Sequence, residues 1–337
     1  MSYPVIFSHP KQQQSKLPIS HNITRLPPPN TPYSADLWAP ELHSLRGRWY
    51  VYFAAANPEQ GNRSHRMYVL GGPPSTSDPH DQSGWEFLGP LQNMDQKQWA
   101  IDGTVFELDN NELYFAYSGW PLDRAPDDFN ENTQQIFIAR MSDPTTLASP
   151  PVMISSPDRD WERSDDKGIN EGPQFLSSPA SSPYPWRGLA YSCAGSWTKE
   201  YKMATLHLLP NSDPLNPQSW KKSFAPLIQN SGENGKGPFG PGHGNFVRVG
   251  EETMACFHAT DGAGDGWEGR KCRCQRVEFG PEGPYMGGCV GHVTRDVGVF
   301  ERGLGVGDGG DGGASSSGSG GKREKLKGVL GSLAKKI

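Results

Sequence analysis

Ala100-Ile101-Asp102-Gly103-Thr104 is a strand-forming run interrupted by one carboxylate and one glycine, and it has three counterparts along the chain. They are Leu37-Trp38-Ala39-Pro40-Glu41, Ile169-Asn170-Glu171-Gly172-Pro173 and Gly240-Pro241-Gly242-His243-Gly244. The step from Trp38 to Asp102 is 64 positions, from Asp102 to Glu171 it is 69, and from Glu171 to His243 it is 72. A repeat of this length, with short strands and one polar residue per unit, describes blades around an axis. Each blade would feed one side chain into a shared centre. A further step back from Trp38 runs past residue 1, so an opening unit is expected to be incomplete.

Working outward from these segments, the strands are short and separated by turn chemistry. Trp49-Tyr50-Val51-Tyr52-Phe53-Ala54 follows the turn Arg46-Gly47-Arg48 and is rich in β-formers. Residues 67–70 and 85–88 complete that unit. The second reads 103–107, the turn Asp109-Asn110-Asn111, then 113–117 and 135–140. The third reads 173–176, 188–193 and 203–209, and the fourth 245–249, 253–258 and 271–279. Because each unit opens on its polar segment, that segment belongs on the innermost strand.

The bulk composition agrees. Among 337 residues there are 41 Gly and 31 Pro, which favour turns and oppose long helices, so the fold class is all-β. Ten Trp and eleven Tyr suit a β core and equally a carbohydrate-stacking surface. A net charge of −5 gives no reason to expect nucleic acid as a partner. No run approaches the ~20 apolar residues of a membrane span. The N-terminus lacks the basic and apolar regions of a signal peptide. The five cysteines (193, 256, 272, 274 and 289) have no C-x-x-C spacing and read as buried thiols. Cys272 and Cys274 fall on one face of one strand, a poor fit to a disulfide with each other. Four regions result: 1–36, a shortened remnant of a first blade; 37–300, the β-propeller; 301–321, a Gly/Ser-rich linker; and 322–337, a basic amphipathic tail.

Asp102 and Glu171, brought to one centre, would be a carboxylate pair of the kind that hydrolyses glycosides. An inverting enzyme needs an acid for the leaving oxygen and a carboxylate to activate water, roughly 6.5–9.5 Å apart. A third carboxylate can hold the acid protonated by like-charge repulsion. Glu171, flanked by Asn170 and Gly172-Pro173, has the reach for a general acid; Asp102, shorter and followed by Gly103, suits orientation and tuning. Taken singly, each also reads as an ordinary turn carboxylate. His243, among glycines and a proline, could ligate a metal on the axis or contact substrate.

The wording of the segments resembles glycoside hydrolase family 43. Asp36-Leu37-Trp38-Ala39-Pro40-Glu41-Leu42-His43 with 47–55 resembles its second blade, and 100–106 with Tyr117-Ser118-Gly119-Trp120-Pro121 its third. Asn170-Glu171-Gly172-Pro173-Gln174 with 191–197 resembles the fourth, and 240–243 with 257–261 the fifth. The resemblance covers residues 33–290. It implies a five-bladed β-propeller, here with an incomplete first blade, whose axial pocket cleaves α-L-arabinofuranosides or β-D-xylosides with inversion. It implies Glu171 as general acid, Asp102 as the residue that tunes it, and His243 as the histidine near an axial calcium or water cluster. No cofactor is otherwise required. Trp38, Trp120 and Trp197 would form stacking walls, with core packing the competing reading for each, and Glu41 would contact substrate.

The family's general base is an Asp on the first blade's innermost strand, and no such motif is found here. Residues 1–35 contain no carboxylate, and Asp36 belongs to the lead-in of the second blade. The expectation is therefore a monomeric glycosidase acting on arabinose- or xylose-containing carbohydrate, impaired for want of its base. The alternatives are a non-catalytic carbohydrate-binding propeller and an interaction platform using the basic tail. The resemblance implies an extracellular site of action; the N-terminus as written implies a cytoplasmic one.

Overall fold

The computed structural model describes residues 2–3, 27–80, 83–122, 132–230 and 237–289. The expectations for residues 4–26 of the first blade, the linker and the basic tail lie outside them. The first sheet holds β1 (Ser2–Tyr3), β2 (Ala35–Leu45), β3 (Arg48–Ala56), β4 (Arg66–Pro74) and β5 (Glu86–Pro90), paired in that order. The next blade is β6 (Ala100–Glu107), β7 (Leu113–Gly119) and β8 (Thr133–Asp143), with β9 (Thr146–Leu147) and β10 (Val152–Ser155) on the outer edge of β8. After β11 (Arg163–Ser164) come β12 (Lys167–Ser177), β13 (Arg187–Cys193), β14 (Lys202–Leu208), β15 (Trp220–Lys222) and β16 (Ile228–Gln229). The last meander is β17 (Phe239–Val249), β18 (Glu252–Thr260), β19 (Lys271–Gly280) and β20 (Gly283–Tyr285), followed by β21 (Gly287–Gly288), which pairs parallel with β16. Four blades are thus described, each with its polar segment on the first long strand.

The core lies in layers between blades, because the strand period of two divides each strand's side chains between two neighbours. On β7, Leu113, Phe115 and Tyr117 join the layer toward the preceding blade, with Tyr52 and Met67. Tyr114 and Ala116 join the opposite layer, with Leu189 and Tyr191 of the following blade. Every residue of β7 is buried, so it reads as a continuous apolar run rather than an alternating one.

The innermost strands begin earlier than their β-former content suggests, and the reason is a shared irregularity. Pairing with the second strand shifts register between Trp38 and Glu41, Ile101 and Thr104, Glu171 and Gln174, and Gly242 and Asn245. At or beside each shift one residue takes left-handed backbone: Ala39 (φ 41°), Asp102 (φ 56°), Gly172 (φ 56°) and His243 (φ 49°). A bulge re-aims side chains that a regular pleat would send into the blade-to-blade layers. Asp102 and His243 hold a backbone conformation costly for non-glycine residues, a strain that recurs at functional sites.

Candidate active site

The four bulges bring their side chains to one end of the molecule. Asp102 Oδ2 accepts a hydrogen bond from the backbone N–H of Gly172, 3.1 Å away, so the carboxyl of one blade touches the residue after Glu171 in the next. Glu171 Oε1 accepts from the Tyr201 hydroxyl at 2.6 Å. The His243 N–H donates to Ser192 Oγ at 2.7 Å. A side chain on Gly172 would sit 3.4 Å from the His243 ring, so the glycine supplies both the left-handed turn and close approach of the imidazole. Glu41 is held at the rim by His43 Nε2, at 2.9 Å from Oε2, and by the Gln174 amide on Oε1.

These groups act on one another electrostatically. Asp102 and Glu171 are 3% and 8% exposed, and burial pushes both carboxyls up to about 7. For Asp102 the Gly172 N–H opposes the burial, Glu41 adds like-charge repulsion, and Arg270 pulls down. For Glu171 the charge of Asp102 adds to the burial, while the Tyr201 hydroxyl, His243 and Arg270 pull down. Asp102 is bonded to a backbone donor, and its charge adds to burial in holding the proton on Glu171. Burial lowers His243, against the pull of Glu171 and Glu41, so the ring is neutral near pH 7.

Behind Glu171 lies a second polar network, sealed from solvent. Asn170 donates to Glu162 Oε1 at 2.8 Å and accepts from Ser155 Oγ at 2.7 Å, while its carbonyl accepts from Ser118 Oγ at 2.9 Å. Glu162 is fully buried and is satisfied by the Tyr191 hydroxyl at 2.8 Å and by Lys222 Nζ at 2.9 and 2.8 Å. The residue preceding Glu171 is therefore clamped on three sides.

The tryptophans divide. Trp197 is 43% exposed and lines a recess with Lys199, Phe239, His258 and Arg270. Trp38 is partly buried and stacks on His65 at 3.8 Å. Trp120 is buried in the blade-to-blade layer and stacked on Trp99 at 4.8 Å, the contacts of the core-packing reading. Asp36 is exposed, and its carbonyl accepts from His65 Nε2 at 2.9 Å.

Calcium takes six to eight oxygen ligands, and among the described residues no group of three or more His, Cys, Asp or Glu side chains is arranged to hold a metal. What the sequence reading missed is Tyr201, Gln174, His258 and Arg270. Burial lowers the Arg270 guanidinium against the pull of Tyr201, Glu171 and Asp102, and it donates to the Ser196 carbonyl at 3.0 Å. His258 stacks on the Tyr201 ring at 5.6 Å. Gln174 and His258 stand within the segments 170–174 and 257–261 without an assigned role, and the signal of the other two is position: Tyr201 directly precedes β14 and Arg270 precedes β19, at the polar-segment end of their blades.

Comparison with known proteins agrees with this arrangement. The sequence model of glycosyl hydrolases family 43 matches residues 17–285. An extracellular exo-α-(1→5)-L-arabinofuranosidase of Streptomyces avermitilis is 31% identical over 256 residues, which are 74% of this chain and 49% of that protein. An α-L-arabinofuranosidase 43 of Humicola insolens is 34% identical over 216 residues, 64% of this chain and 40% of that protein. The chain thus spans half or less of the length of these relatives. The crystal structure of an α-L-arabinofuranosidase from Lactobacillus brevis superposes with a TM-score of 0.65 at 29% identity, over 80% of this chain and 81% of that one. With four bulged blades meeting at one carboxylate centre and a family match over most of its length, this chain is a five-bladed β-propeller and belongs to glycosyl hydrolases family 43.

Proposed function

We propose that this chain hydrolyses the O-glycosyl bond of α-L-arabinofuranosides in arabinan or arabinose-decorated polysaccharide, inverting the anomeric centre, with Glu171 as general acid. The observation that carries this reading is the state of Glu171: a buried carboxyl whose proton is held to about pH 7, with Asp102 bonded to the next residue's backbone. A carboxylic acid protonated at working pH can give its proton to the glycosidic oxygen as the bond to the anomeric carbon lengthens. Asp102 raises that acid and, once charged, stabilises the positive charge that builds on the sugar ring. Tyr201 fixes the orientation of the Glu171 carboxyl, and Glu41 and Trp197 contact the sugar. Among these residues the carboxylate that activates water is not assigned. The relatives described as extracellular support action outside the cell on a carbohydrate partner.

The test is turnover of an α-1,5-linked arabino-oligosaccharide by the protein and by Glu171→Gln. Loss of general-acid assistance should lower kcat by about 10²–10⁴-fold, and less on a nitrophenyl arabinoside, whose leaving group needs little protonation. Proton NMR of the first-formed sugar should show the inverted anomer. Oligosaccharide turnover that survives Glu171→Gln would remove Glu171 as the acid. Binding of arabino-oligosaccharide with no product would overturn the enzymatic reading, and a preference for β-D-xylosides would overturn the substrate.

A further inference from the structure

The β18–β19 hairpin carries three cysteines that the carboxylate centre does not use. Cys256 on β18 lies directly opposite Cys274 on β19, and Cys272 lies opposite His258. Directly opposed residues of antiparallel strands have Cα atoms about 4.5–5.5 Å apart, inside the range a disulfide spans. The Cys256 and Cys274 sulfurs are 3.0 Å apart, about 1 Å more than a sulfur–sulfur bond. Both are buried in a small apolar cluster with Val249 and Met254, remote in composition from the polar centre. Cys272, two positions from Cys274, also contacts its thiol and is the most exposed of the three. Packing alone asks only for side chains of cysteine's size. It does not ask for two thiols in register across a ladder.

We propose that Cys256 and Cys274 form a cross-strand disulfide by exchange with a small-molecule disulfide, closing the hairpin that delivers Arg270 to the carboxylate centre. The Cys274 thiolate attacks one sulfur of the small disulfide and displaces one molecule of thiol. The Cys256 thiolate then attacks the Cys274 sulfur of that mixed disulfide and displaces the second. Two protein thiols lose two electrons and two protons, one small disulfide becomes two thiols, and Cys272 stays reduced. Neighbouring thiols and burial hold the Cys274 proton tightly, so the exchange is slow at neutral pH and faster in alkali. The bond closes a loop of 18 positions containing residues 261–270, which lead from the end of β18 to Arg270. Constraining a loop of that size in the unfolded chain should raise Tm by about 5 °C.

The experiment incubates the full-length protein with oxidised glutathione at pH 8.5, quenches in acid and measures intact mass, a non-reducing peptide map and Tm. The expected result is loss of about 2 Da, one linked pair joining the Cys256 and Cys274 peptides, and the rise in Tm reversed by dithiothreitol. Cys272→Ser should keep all three readouts; Cys256→Ser and Cys274→Ser should lose them. An unchanged mass, a persistent glutathione adduct or a link through Cys272 would overturn the proposal. The wild-type peptide map decides the matter alone if a serine variant fails to fold.

Discussion

Removing one hydroxyl, Tyr201→Phe, should move the pH at which the protein stops working upward. Tyr201 donates to Glu171 Oε1 at 2.6 Å and its own ionisation lies well above the usual tyrosine range, so it is a donor throughout the working pH. A hydrogen bond to a charged acceptor is worth about 1.5–3 kcal/mol. The protonated Glu171 can still accept a weaker bond, so only part of that amount separates its two protonation states. About 1.4 kcal/mol of difference is roughly one pKa unit. The alkaline limb of kcat/KM, which reports loss of the Glu171 proton, should therefore shift from about 7 to roughly 8. Phenylalanine keeps the ring, which fills the space beside Gly242, where a Cβ would sit 2.0 Å from Cε1 of Tyr201, and keeps the stack on His258. The assay is the pH profile of arabino-oligosaccharide hydrolysis, with Tm measured at each pH to separate titration from unfolding. An alkaline limb that stays put or moves down would refute the electrostatic account of Glu171.

Asp102→Asn should shift the same limb the opposite way, because the like charge that raises Glu171 is removed; a limb moving up with this variant would contradict the repulsion between the two carboxyls. Stability should show a matching trend. A carboxyl raised from an ordinary 4.5 to about 7 on folding contributes stability below its unfolded pKa, and this is lost as pH rises through the folded value. Glu171→Gln should therefore gain stability relative to the wild type between pH 5 and 8 by on the order of 3 kcal/mol, and a Tm difference that does not grow over that interval would count against the raised pKa. Lys222→Met leaves the buried Glu162 without its cation and should cost about 3–5 kcal/mol in urea unfolding; a loss below 1 kcal/mol would mean that the network behind Glu171 is relaxed by solvent.

Much of the fold was legible because the blade strands are buried on both sides. Runs such as Leu113–Tyr117 and Trp49–Ala54 announce themselves by β-former content, and the observed β7 and β3 extend them by only a few residues at the ends. The innermost strands were harder: Asp102 and Gly172 look like turn residues, and they are bulge residues inside continuing strands. The short outer strands β10 and β15 carry too few residues to give a period, and they form only because β8 and β14 present open edges. Trp120 illustrates a limit of composition, since an aromatic that stacks on sugar and one that stacks on Trp99 are the same residue in sequence.

What the order of residues determined by itself is the repeat: one polar side chain per unit, at near-constant spacing, in segments whose glycines and prolines permit a bulge. Local chemistry is enough for that, because bulges and strands are set by neighbours within a few positions. The tertiary structure alone set the surroundings of the Glu171 carboxyl, since its proton depends on burial, on Asp102 from the blade before, on Tyr201 just ahead of the strand two places outward, and on Arg270 from the last blade. Ionisation is a property of the space around a group, and that space is assembled from parts of the chain up to about a hundred residues from Glu171.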